Sequence, residues 1–133
     1  MRLERRDGIG VLVLDQPPAN TFDYAGLQRL ASLIEDARYD ENIRAMVITS
    51  AQPKFFSAGA DLKAFQAATA RQRAMISLLG HEVFRKIEQT PMLIVAAIAG
   101  HASGGGLELA MACDLRFAAA GDYKLGLAEV KIG

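Results

Sequence analysis

Three continuous apolar runs punctuate the chain: IGVLVLD (residues 9–15), IRAMVITS (43–50) and MLIVAAIAG (92–100). Each has the length and the Val/Ile content of a buried strand, and each is followed by a loop and then by a segment of helical period. Pro17 and Pro18 close the first run, where they forbid helix continuation. Beyond them Leu27, Leu30, Ala31, Ile34 and Ala37 recur at helical spacing behind Asp23, which reads as an N-cap, and this helix extends to about Tyr39. AQPKFFSAG then reads as a loop and ADLKAFQAA (60–68) as a short helix, while a longer helix covers 71–89 and stops at Pro91. The third run leads into a glycine loop, another helix, and two short strand-like stretches, DLRFAAA and YKLGLAEV. Strand, loop and helix in repeated order predict an α/β layer structure whose loops gather at one end of the strands. The units VITSAQPKFFSAGADLKAF and VAAIAGHASGGGLELAM follow the same order, so two helix N-termini are expected to face one another.

A chain of 133 residues buries one real core, and residues 1–133 are read as a single domain. Fifteen Lys and Arg balance fifteen Asp and Glu, so the basic surplus that nucleic-acid binding requires is missing. No apolar run reaches the roughly 18 residues of a membrane span, and the charged start MRLERRDGIG lacks the apolar segment of a secretory signal. Cys113 is the only cysteine, which excludes an internal disulfide and fits a cytoplasmic protein.

The stretch GHASGGGLELAMACD (100–114) holds most of the chemistry. Gly100 and Gly105 fit the outer positions of a phosphate loop, but Gly106 and Leu107 stand where Lys and Ser/Thr belong. The dinucleotide fingerprint fails at Leu109, and neither Ser57 nor Ser103 sits in a nucleophile elbow. What remains is a close-approach backbone at a helix start, where free N–H groups and the helix dipole favour negative charge. A tight, closely packed turn is the plain alternative. Glu108 follows at once: Ser103 would want its capping partner at position 106, which is glycine, so Glu108 is not a capping-box residue. A helix beginning at Gly105 puts Glu108 in its first turn, and its apolar neighbours predict burial and a raised pKa, the signature of a candidate acid/base group. Glu129, in GLAEVKIG, taken alone reads as a solvated strand residue. His81 reads as solvent-facing, His101 as a loop residue without a partner carboxylate at metal-ligand spacing, and Cys113 as core; no metal site is expected. Lys54 and Lys63 flank the FFSAGAD loop, where they could meet phosphates.

FFSAGADL (55–62), AIAGHASGGGLELAMACDLRFAA (97–119) and LGLAEVKIG (125–133), with GVLVLDQPPAN before them, together resemble the crotonase, or enoyl-CoA hydratase/isomerase, family over essentially the whole chain. The resemblance implies an α/β spiral of β-β-α units that binds an acyl-CoA thioester, coenzyme A entering as part of the substrate and no separate cofactor being needed. It implies an oxyanion hole from the amides of Ala60 and Gly105, and Glu108 and Glu129 as the two glutamates that hydrate a 2-enoyl-CoA: Glu108 activates water and Glu129 helps deliver the proton to C2. It puts Ala58, Asp61, Lys63 and Gly104 near the CoA moiety, with Ala19, Asn20 and Phe22 lining the other side of that channel. It also implies a homo-oligomer, a trimer or hexamer. Gln16 departs from the arginine often found before the first proline, Ala128 from the proline often found before the second glutamate, and the length is about half the family's. An enoyl-CoA isomerase, needing one carboxylate, and a non-catalytic acyl-CoA-binding or assembly module are the competing readings.

Overall fold

The computed structural model describes residues 1–131. The chain opens with an antiparallel pair, β1 (Arg2–Arg6) and β2 (Ile9–Leu14), followed by the two-residue β3 (Thr21–Phe22) and α1 (Tyr24–Arg38). Asp23 caps α1 as expected, its carboxylate accepting from the Gly26 amide at 2.7 Å. Leu27, Leu30, Ile34 and Ala37 form the buried stripe of that helix. β4 (Ala45–Ser50) leads into β5 (Phe55–Ser57), inside the stretch expected to be a loop, and β6 (Gly59–Ala60), which takes the first residue of the expected helix 60–68. α2 (Leu62–Ala67) and α3 (Ala70–Glu88) follow, the latter held by a capping box between Thr69 and Gln72. β7 (Leu93–Ile98), β8 (His101–Ser103), α4 (Gly105–Met111), β9 (Leu115–Ala118), β10 (Leu125–Gly126) and a 3₁₀ turn (Ala128–Lys131) complete the chain.

The strands form one large and two small sheets. The large sheet has the order β1-β2-β4-β7-β9, and β2, β4, β7 and β9 run parallel. β8 is the middle strand of a parallel three-stranded sheet, between β10 and β5, and β3 pairs with β6. Each turn of the chain therefore lays one strand in the large sheet and the next in a small one before a helix returns, which is the β-β-α spiral the resemblance implied. Leu12, Leu14, Leu30, Ile34, Met46, Ile48, Phe56, Ile94 and Leu109 fill the core between the layers.

Two expectations require correction. Glu129 lies on the 3₁₀ turn rather than on a strand, because the strand reading of YKLGLAEV holds only for Leu125–Gly126. Glu108 is exposed rather than buried. α4 has only seven residues and packs through Gly106, Leu109 and Ala110, so its opposite side, with Glu108 and Met111, has no covering element among the described residues.

Candidate active site

The site is built where two turns meet. Gly59 (φ +83°) and Gly104 (φ +51°) occupy backbone conformations that side chains disfavour, and each turn packs main chain against main chain. A Cβ on Gly59 would stand 2.7 Å from the Ser103 carbonyl and 2.8 Å from the Gly105 nitrogen, and one on Gly106 would overlap the Ser57 carbonyl. Only glycine lets these backbones approach so closely.

The FSAG turn is fixed from below by buried polar groups. The Asn20 side chain donates to Ser50 Oγ (2.8 Å) and to the Phe56 carbonyl (2.9 Å), and its oxygen accepts from the Gln16 amide (2.8 Å). The Ser57 hydroxyl donates to the Asn20 carbonyl (2.7 Å) and accepts from the Gly59 amide (3.1 Å). These bonds are sheltered from water, so losing one leaves a buried group unpaired and costs about 1–3 kcal/mol.

The result is a point bordered by two amides and a carboxylate. The position that a Cβ on Gly105 would take lies 3.8 Å from the Ala60 nitrogen, 3.6 Å from the Gly59 Cα and 3.6 Å from Glu108 Oε2. Gly105 opens α4, so its N–H has no intrahelical partner. The next amide after Ala60, that of Asp61, donates toward β3, to the Phe22 carbonyl at 2.9 Å. Successive amides of an extended chain alternate in direction, which turns the Ala60 N–H away from β3 and toward α4. On the other side of the turn, the Glu129 carboxyl carbon lies 3.0 Å from where a Cβ on Gly104 would stand. Two carboxylates thus border neighbouring glycines at the start of one helix, beside two main-chain donors.

The family model described as enoyl-CoA hydratase/isomerase matches residues 4–133. The chain belongs to the enoyl-CoA hydratase/isomerase family. It is 40% identical over 126 residues to a Bacillus subtilis protein named "Probable enoyl-CoA hydratase", covering 94% of this chain and 48% of that one. It is 36% identical over 132 residues to the crotonyl-CoA hydratase of Syntrophomonas wolfei, covering 98% and 50%. It superimposes on a crystal structure of the Geobacillus kaustophilus enoyl-CoA hydratase with a TM-score of 0.95 at 37% identity, covering 98% of this chain and 50% of that chain. The chain spans about half the length of these relatives.

Within this hydratase/isomerase fold, the structure brings Ala60, Gly104, Gly105, Glu108 and Glu129 together. The Ala58 amide donates a hydrogen bond to the Ala19 carbonyl at 2.9 Å, and Phe22 pairs with Ala60 on the β3–β6 ladder. The Asn20 and Phe22 side chains are instead buried in the fold, Asn20 as the brace described above and Phe22 in the core. Asp61 caps α2, its carboxylate accepting from the Ala64 amide at 2.9 Å, while Lys63 is exposed in the first turn of that helix.

Three other side groups complete the picture. Burial pushes the Cys113 thiol up to about 12, and its sulfur donates to the Leu109 carbonyl at 3.4 Å, so it is a core group and not a nucleophile. No group of three or more His, Cys, Asp or Glu among the described residues is arranged to hold a metal ion. No helix among them is long and apolar enough to cross a membrane. Ser57 and His101 are the polar residues whose work the sequence does not announce: their partners, Asn20 and Lys124, lie in irregular chain just before β3 and β10, where no period is written.

Proposed function

We propose that the protein adds water across the 2,3 double bond of a 2-enoyl-CoA thioester. The observation that carries this reading is the pairing of Glu108 and Glu129 around the Gly104–Gly105 turn, beside the Ala60 and Gly105 amides. The thioester oxygen sits between those two amides. As water oxygen bonds to C3, Glu108 accepts the water proton and the π electrons move through C2 onto the thioester oxygen as an enolate. The two N–H groups stabilise that charge, each contributing about 2.7–4 kcal/mol to the transition state. Glu129 then gives a proton to C2, the enolate collapses to the thioester, and exchange with solvent resets the two carboxyls. Lys63, exposed at the start of α2, meets the nucleotide phosphates, and the backbone of Ala19, Ala58 and Gly104 borders the pantetheine arm.

The test is crotonyl-CoA hydration by the full-length protein, followed by loss of the conjugated-enoyl absorbance and by product analysis. Glu108→Gln and Glu129→Gln are each expected to lower turnover by about 10² to 10⁴-fold, the range of a lost acid or base, with thioester binding little changed. Near-parental rates in either variant would overturn the assignment of that residue. A product with only a shifted double bond would make the protein an isomerase, and binding without turnover would make it an acyl-CoA-binding module.

A further inference from the structure

We infer that His101 is a positioning residue for Glu129, acting through the backbone of β10; this rests on the proton-delivery role proposed above. His101 opens β8. Its amide donates to the Lys54 carbonyl at 2.9 Å and its ring packs on Phe55, with centroids 5.3 Å apart and planes at 46°, so β5 and the segment before it fix the imidazole. Its Nδ1 accepts the Lys124 amide at 3.0 Å. A backbone amide only donates, so Nδ1 carries no proton, and the neutral ring holds its proton on Nε2.

That bond stands at the head of a short chain of contacts that ends on Glu129. Lys124 immediately precedes β10, and its carbonyl accepts from the Ala102 amide at 3.1 Å. The Gly126 carbonyl accepts from the Gly104 amide at 3.0 Å. Three residues later the chain reaches Glu129, whose carboxylate lies against Gly104. β10 pairs through only Leu125 and Gly126, both exposed, so one bond at its first end is a large fraction of what holds it. Ala60 lies on β6, away from this strand, and Gly105, although next to Gly104, is also held from the other side by its close packing on Gly59. Removing the Nδ1 acceptor therefore loosens the proton donor while leaving the oxyanion donors in place, and the loss falls on kcat rather than KM.

Three variants separate the acceptor from the ring. His101→Phe keeps an aromatic ring against Phe55 and removes the acceptor; His101→Asn removes the ring and keeps an oxygen near the position of Nδ1; His101→Ala removes both and asks for no extra space. In the full-length protein, with crotonyl-CoA as substrate, the Phe and Ala variants are expected to lose about fivefold or more in kcat, the scale of one hydrogen bond, with KM within about twofold of the parent. The Asn variant should recover most of that loss. In a Glu129→Gln background, His101→Phe should cost nothing further, because the group it positions is already inert. An Asn variant no better than Ala, a Phe variant as active as the parent, or a full-sized Phe effect persisting in the Glu129→Gln background would each overturn the inference. Parental activity in Glu129→Gln alone would instead overturn the proposed role of Glu129, and the two failures are read from separate arms.

Discussion

Gly104 and Gly106, one residue apart in the site, do different work, and a methyl group added to each separates them. On Gly106 it would overlap the Ser57 carbonyl, which is main chain at the heart of the turn and cannot move aside. Gly106→Ala is therefore expected to lower stability by about 3 kcal/mol or more, with poor soluble yield, as other severe overpacking does. On Gly104 the methyl group would meet the end of the Glu129 side chain, which can swing away. The added cost is that of an unfavourable φ, about 1–3 kcal/mol, so Gly104→Ala should fold with a lowered melting temperature and lose far more turnover than stability. Thermal melts beside crotonyl-CoA turnover distinguish the two: equal losses of fold and activity in Gly104→Ala would contradict the placement of Glu129. The position of Glu108 in the first turn of α4 was legible from GGGLE, since a helix starting at Gly105 puts the carboxylate there, where the helix dipole also favours it. Its exposure was not, because apolar neighbours in sequence describe a seven-residue helix poorly when only one side of it meets the core.

At the scale of elements, β9 carries an uncommon surface. Leu115 and Phe117, two residues apart and so on the same face, are 45% and 64% exposed, and Met111 at the end of α4 is 48% exposed. β9 is also the last strand of the large sheet among the described residues, so its outer backbone groups are unpaired by any neighbour in that sheet. An apolar sheet edge of this kind templates association. A preparation of these 133 residues alone is expected to show concentration-dependent association in sedimentation velocity, and Phe117→Lys should shift it toward monomer; a monomer at all concentrations would show that the edge is protected. The sequence revealed the long elements, because α1, α3, β2, β4 and β7 are each long enough to show a period. It did not reveal β3 or β6, two residues each, or β1, whose RLERR carries little of the apolar signal by which a strand is recognised, and it drew β10 too long. The site stands on those short pieces. Beyond Glu108 and the glycines before it, its residues were legible only through motif resemblance, and their geometry only through the fold.

Over the whole molecule, ionisation sets the limits of stability at both ends of the pH scale. Hydrogen bonds from Arg6 and Arg2 to Glu4, from Lys86 to Glu35, and from Arg5 to Asp40 hold these carboxyls below their ordinary values. Groups depressed by folding contribute stability above their unfolded pKa and lose it as pH falls through the folded one. The protein should therefore weaken as pH drops below about 4.5, modestly, since the pairs are at the surface. Cys113 works in the opposite sense. Its thiol is raised from 9.0 to about 12, so the unfolded chain alone releases that proton between these values, and stability falls as pH rises through them. Urea titrations across pH should show both declines, and Cys113→Ala should remove much of the alkaline one; an unchanged alkaline slope would mean that the thiol is not the group responsible. The central place of β8, between β5 made before it and β10 made after it, also gives the site a history within each molecule's synthesis. The Ala60 and Gly105 amides belong to segments that precede β10 in the chain, whereas Glu129 stands on the turn that follows it. On the proposed function, every chain is therefore synthesised with its two oxyanion donors ahead of its second carboxylate.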